Sequence, residues 1–263
     1  MNRVENKLVL VTGASSGIGE ACAKRFAACG ASLILVARRE ERLLRLQQVL
    51  ASETDVSVHA HRVDVRDRES VEGLAAQLEK TELVPDILVN NAGLSRGLCK
   101  FQEGEFVDWD EMIDTNVKGL LNVSRCIVPM MLTRNSGHIV NVGSIAGHVV
   151  YPGGNVYNAT KYAVRALTEA MNIDLVGTNI RVSSVDPGAT ETEFSQVRFH
   201  GDKKRAKAVY DGFEPLTGDD IADAILYVVN TPAHVNVANL VILPTAQRNP
   251  YVVHVKGGAG RKR

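Results

Sequence analysis

Tyr157 and Lys161 stand four residues apart in Tyr157-Asn158-Ala159-Thr160-Lys161, and Ser144 precedes the tyrosine by thirteen positions. A helix brings positions i and i+4 onto one face, so the Lys161 ammonium is expected beside the Tyr157 phenol, where it favours the ionised form. Such a phenol can exchange a proton with a substrate oxygen near neutral pH. Alone, a Tyr-x-x-x-Lys pair is common by chance and equally fits a half-buried tyrosine beside a surface lysine. Ser144 shifts the balance, because it follows the apolar run Val140-Asn141-Val142-Gly143 and would aim its hydroxyl into the same cleft. Its alternative role is a turn cap. No Gly-x-Ser-x-Gly elbow surrounds it, so a nucleophilic serine is not expected.

Hydride transfer to a carbonyl builds alkoxide charge on oxygen, and a positioned proton donor contributes about 10²- to 10⁴-fold. Tyr157 is the candidate donor. Asn116, in Asp114-Thr115-Asn116-Val117, falls inside a predicted long helix, where its short amide competes with backbone bonding and can host a water linking Lys161 to solvent.

The hydride carrier needs a phosphate cradle, and Thr12-Gly13-Ala14-Ser15-Ser16-Gly17-Ile18-Gly19 offers one. Gly13, Gly17 and Gly19 let backbone approach a pyrophosphate, the amides opening the following helix donate to it, and Ser15 and Ser16 add hydroxyls. Glycines alone are weak evidence, since turns favour them; their place between a strand and a helix strengthens it. About twenty positions further on, a cofactor with a free ribose 2′-hydroxyl usually meets an acid. Here the chain reads Ala37-Arg38-Arg39. With no carboxylate and two guanidiniums, NADP should bind better than NAD, unless the arginines merely open a helix in solvent. Asp64 and Val65 are placed to hold an adenine. Asn90 and Asn91 can tie strands together through their amides, with structural bonding the better reading for Asn90, while Ala92 and Gly93 leave room for the nicotinamide ribose.

These groups need a frame, and the pattern supplies one. Strand-length apolar runs at 7–12, 32–37, 56–63, 87–90, 138–142, 180–186 and 239–243 alternate with helical periods at about 17–29, 40–52, 68–79, 108–134, 155–176 and 218–231. Continuous runs such as Leu33-Ile34-Leu35-Val36 indicate strands buried on both faces. The expected fold is α/β: a single-domain, doubly wound sheet of about seven parallel strands flanked by helices, with ligands beyond the carboxyl ends of the strands.

With 263 residues and 45% hydrophobic content the chain suits one large domain, here 1–249. Lys plus Arg equals Asp plus Glu at 30 each, so no global field draws it to nucleic acid or a membrane surface. No stretch nears the roughly 20 apolar residues that span a bilayer, which leads to the expectation of a cytoplasmic protein. Four cysteines without Cys-x-x-Cys spacing and seven scattered histidines suggest neither a disulfide framework nor a bound metal. The stretch 189–214 breaks the alternation and reads as a flap over the cleft, or alternatively as a solvated excursion. The tail, 250–263, begins with Tyr251-Val252-Val253 and ends in glycines and cations. Its apolar start fits an arm on a neighbouring subunit, and its basic end reads as flexible.

Taken in order, Thr12 to Gly19, Asn90 to Gly93, Asn116, Ser144, Tyr157, Lys161 and Pro187-Gly188 resemble the short-chain dehydrogenase/reductase family over nearly the whole chain. The resemblance implies a Rossmann-type domain, a bound nicotinamide nucleotide, a catalytic tetrad of Asn116, Ser144, Tyr157 and Lys161, and a contact from Thr190 to the nicotinamide carboxamide. The glycine spacing is that family's Gly-x-x-x-Gly-x-Gly rather than the fingerprint of other dehydrogenases. The stretches 151–157, 192–199 and 232–236 are similar to the NADP-dependent serine or 3-hydroxy acid dehydrogenase subgroup, which implies a homotetramer acting on a small-molecule 3-hydroxy acid such as serine, allo-threonine or 3-hydroxyisobutyrate. A carboxylate substrate wants a cation, and Arg96 or Arg198 can supply it, although either can instead pair with a neighbouring acid. Reduction of a 3-oxoacyl thioester or another ketone is the alternative within the enzyme class. A nucleotide-sensing binding protein is the alternative outside it.

Overall fold

The computed structural model describes residues 2–255 and 261–262. Its centre is a seven-stranded parallel sheet in the order β3-β2-β1-β4-β5-β6-β7, formed by β1 (Leu8–Thr12), β2 (Ser32–Ala37), β3 (Val58–Arg62), β4 (Ile87–Asn90), β5 (Gly137–Val142), β6 (Ile180–Pro187) and β7 (Asn239–Ile242). The order reverses between β1 and β4, and a crevice opens there beyond the carboxyl ends. Register fixes its walls: Val11 pairs with Val89 across β1 and β4, so the turns after Thr12 and Asn90 emerge side by side.

The continuous apolar runs serve two cores. Val9, Val11, Leu33 and Leu35 face one side, where they pack with α1 (Gly17–Ala28), α2 (Glu40–Glu53) and, near the chain's end, a helix at Gly218–Val229. Leu10, Ile34 and Val36 face the other, against α3 (Arg68–Lys80) and the helices that follow β4 and β5. Alternation along a strand thus requires apolar residues at every position, each fully buried Leu or Ile contributing about 1.5–3 kcal/mol. The fold is the expected α/β arrangement.

Three local differences carry information. The expected 56–63 strand is only five residues long, because β3 is the sheet edge and none of its residues is buried. The expected helix at 108–134 is three pieces: α4 (Phe106–Ile113), a π turn at Asp114–Lys118 and α5 (Gly119–Arg134). Between β6 and the Gly218–Val229 helix, the stretch read as a flap is not featureless. After α6 (Asn155–Asp174), it contributes α7 (Phe194–Arg198) and α8 (Lys203–Ala208), which makes the last large helix α9 (Gly218–Val229). Thr217 caps α9, with Asp220 returning the bond as a capping box.

The chain turns back near its end as β8 (Gln247–Asn249) and β9 (Val252–Val253), with the backbone of Arg261–Lys262 pairing to β9 as β10. The rest of the basic end, 256–260 and 263, lies outside the described residues.

Candidate active site

One cavity of about 480 Å³ runs from the glycine turn, across the switch point, to the flap and tail. Gly13, Ser15, Ser16, Gly17, Ile18, Arg38, Arg39, Asp64, Val65, Asn91, Ala92, Gly93, Ser144, Tyr157, Lys161, Pro187, Gly188, Thr190 and Arg198 all line it. Gly19, Asn116 and Arg96 do not. These three act behind the wall.

The glycine turn is shaped by what it excludes. Gly13 and Gly17 have φ of 69° and 57°, in the left-handed region that favours glycine. A β-carbon on Gly13 would sit 2.8 Å from Asn91 Nδ2, and one on Gly19 would run into the Gly13 carbonyl oxygen. Asn91 Nδ2 donates to Thr12 O at 2.8 Å, while Thr12 Oγ1 accepts from the backbone of Asn91 and Ala92, both at 3.0 Å. The two walls of the crevice are therefore cross-linked. Asn90 points away from the cavity into a buried network, donating to Ser124 Oγ and Asn141 Oδ1.

At the far end of β2, Arg38 and Arg39 flank the cavity. Arg39 donates to Ser15 Oγ at 3.1 Å and Ser16 Oγ at 2.6 Å. A backbone cradle that only glycine fits, continuing into two arginines, matches the outline of a dinucleotide with an extra phosphate on its adenosine ribose. Asp64 is held bidentately by Arg66, with Nε at 3.0 Å from both oxygens and Nη2 at 2.7 Å from one. Burial alone would raise its carboxyl, but the Arg66 hydrogen bonds hold it below the usual range.

At the chemical end, α6 carries Tyr157 and Lys161 on one face, both buried. Lys161 Nζ donates to Val142 O at 2.8 Å. Burial pushes its pKa down to about 8, opposed by the buried carboxylate of Asp186. Burial also pushes Tyr157 up to about 12, aided by Tyr151, while the Arg198 charge and the Ser144 hydroxyl pull the other way. The expected depression of the phenol by Lys161 is thus not what this environment produces. Desolvation is the largest cause, and the lowering influences are Arg198 and Ser144 rather than Lys161.

Ser144 accepts from Ala146 N at 3.1 Å as the cap of a 3₁₀ turn, Ile145–Gly147, and still lines the cavity. Asn116 is held by three bonds: its Oδ1 accepts from Leu94 N at 2.8 Å, and its Nδ2 donates to Leu94 O at 2.8 Å and Thr160 Oγ1 at 3.0 Å. Both Nδ2 hydrogens are taken, and Oδ1 keeps one lone pair for a further donor.

The two candidate anion receptors separate cleanly. Arg96 donates to Glu111 Oε2 at 2.7 Å and to Val197 O, tying α4 to the flap behind the cavity. Arg198 lies inside, its Cζ 5.3 Å from the Tyr157 ring centroid and 5.1 Å from that of Phe194, steered by bonds to Ser95 Oγ and Tyr151 OH.

Several lining residues escaped sequence reasoning. Gln247 accepts from Ala189 N at 2.8 Å, and a β-carbon on Gly188 would collide with its amide oxygen, so β8, just before the tail, clamps the loop after β6. Tyr251, Val253 and Val255 also line the cavity, placing the tail's apolar start on this chain's own site. Only their apolar character could have signalled this, and it does not specify a destination.

The model of short chain dehydrogenases matches residues 7–203. Sulfoacetaldehyde reductase 2 of Chromohalobacter salexigens is 45% identical over 241 residues, 91% of this chain and 95% of that one. The NADP-dependent 3-hydroxy acid dehydrogenase YdfG of Escherichia coli (strain K12) is 43% identical over 91% of this chain and 96% of its own. Among solved structures, the closed form of serine dehydrogenase complexed with NADP+ superposes with a TM-score of 0.88 at 42% identity, covering 92% of this chain and 96% of that chain. A glycine-lined crevice at the switch point of a 3-2-1-4-5-6-7 sheet, matched by that model and by relatives over most of the length, has one reading: the chain belongs to the short-chain dehydrogenase family.

Proposed function

We propose that the chain is an NADP-dependent oxidoreductase that interconverts a small 3-hydroxy acid and the corresponding carbonyl compound, in the cytoplasm and as a homotetramer. Bound NADP(H) would supply or accept the hydride. Gly13 to Gly19 would hold its pyrophosphate, Arg38 and Arg39 its 2′-phosphate, Val65 with Asp64 its adenine, and Asn91 to Gly93, Pro187, Gly188 and Thr190 its nicotinamide end.

The observation that carries the substrate class is Arg198, a guanidinium 5.3 Å from the ring of the proton-bearing Tyr157, inside the cavity. A cation so placed selects an anion a few bonds from the reacting carbon. In a 3-hydroxy acid the carboxylate carbon is two bonds from the carbinol carbon. In sulfoacetaldehyde, named for the 45% identical relative, the sulfur is also two bonds from the carbonyl carbon. That relative gives a second reading, a sulfonated aldehyde, the same spacing with a different anion.

In reduction, the Tyr157 hydroxyl gives its proton to the developing alkoxide while Ser144 hydrogen-bonds the same oxygen. Lys161 keeps positive charge beneath them. Asn116 acts by fixing the loop at Leu94 and the turn at Thr160. The 189–214 segment serves as the lid, since it brings Phe194 and Arg198 over Tyr157.

Assays of serine, 3-hydroxyisobutyrate, sulfoacetaldehyde and an acetoacetyl thioester, each with both cofactors, test this. Arg198→Met should lower kcat/KM for the anionic substrates about 10- to 100-fold, the scale of a lost charge-assisted hydrogen bond. Activity on the thioester alone would discard the anionic-substrate assignment.

A further inference from the structure

Glu193 belongs to the flap segment, yet its carboxylate reaches the opposite end of the cavity. Its Oε2 accepts from Arg39 Nη1 at 2.8 Å and its Oε1 from Arg42 Nη1 at 2.7 Å. Arg39 Nε and Nη2 are taken by Ser15 and Ser16, so each of its nitrogens already has a partner. The neighbouring Thr192 packs on Gly17, where a β-carbon would stand 3.2 Å from Thr192 Cβ. The flap is thereby seated on the glycine turn.

We propose that Glu193 determines cofactor specificity: its carboxylate competes with the 2′-phosphate of NADP for the Arg39 guanidinium, and so limits NADP affinity while leaving NAD untouched. The inference rests on the assignment of Arg39 to the 2′-phosphate. All three Arg39 nitrogens are engaged, so a phosphate gripping two neighbouring N–H groups must share or displace at least one of these partners. Ser15 and Ser16 need not leave, because a hydroxyl that now accepts can rotate and donate to a phosphate oxygen. Glu193 can only accept, and it repels a group whose charge approaches −2. Hydrogen bonds from Arg39 and Arg42 keep its carboxyl below the usual range against the effect of burial, so it carries its charge at neutral pH. Arg42 lets it give up Arg39 and remain paired. No other carboxylate among the described residues forms an ion pair with Arg39. The three side chains are all more than a third exposed, which keeps the effect modest.

The test is equilibrium calorimetry at low salt with NADP+, NAD+ and adenosine 2′,5′-bisphosphate, on the unaltered protein, Glu193→Gln and Arg39→Ala, with thermal melting to confirm folding. Glu193→Gln should bind NADP+ and the bisphosphate about fivefold more tightly, the scale of one exposed charge pair, and NAD+ unchanged. Unchanged or weaker NADP+ binding overturns the competition, as does an equal gain for NAD+. Failure of the underlying assignment reads differently: Arg39→Ala would then keep the original ratio of NADP+ to NAD+ affinity. If Arg39→Ala loses that ratio and Glu193→Gln gains nothing, the competition alone is wrong.

Discussion

Burial acts on Tyr157 and Lys161 in opposite directions, holding the phenol at about 12 and the amine at about 8. The phenol therefore keeps its proton across the physiological range, and the group that titrates within reach is Lys161. As pH rises through about 8 the ammonium is lost, so kcat/KM should fall on the alkaline side, approaching tenfold per pH unit. Stability moves the other way. The unfolded chain keeps its lysine protonated up to the ordinary value of 10.5, so between about 8 and 10.5 it binds more protons than the folded chain, and this group's contribution to stability rises with pH. Measuring rate and unfolding together separates the two; a rate flat through pH 9 would remove Lys161 charge from the mechanism. Tyr157→Phe should cost about 10²- to 10⁴-fold in turnover while NADPH still binds. Unchanged turnover rejects the donor.

The chain's strands could be read from apolar runs because burial on two faces demands them, and the glycine turn because backbone crowding does. The break at Asp114–Lys118 could not, since an apolar period passes through it. Within that break Asn116 bonds Leu94, twenty-two residues away, a partner that no local pattern encodes. Arg96 and Arg198 looked alike in sequence for the same reason: which acid or carbonyl each would meet depends on where α4 and α7 pack. Asn116→Ala would strand the Leu94 amide and carbonyl in a buried position. It should cost about 2–6 kcal/mol, at about 1–3 for each unsatisfied group, measured by denaturant unfolding. A change under about 1 kcal/mol would show that the amide is not what fixes this junction.

The described surface leaves apolar side chains in the open: Phe101, Phe106 and Val107 around Trp109, Ile173 and Val176 at the end of α6, and Tyr227 on α9. Phe106 is 77% exposed and Val176 80%, values that favour cover by other subunits. Sedimentation should find a four-subunit particle, and Phe106→Asp should shift it toward smaller species; a monomer in the unaltered protein would end the tetramer proposal. The clamp from Gln247 onto the loop after β6, with Tyr251, Val253 and Val255 along the cavity, has a practical corollary. Selectivity should respond to exchange of the short peptide 247–255 between homologues, while the Rossmann body is left alone.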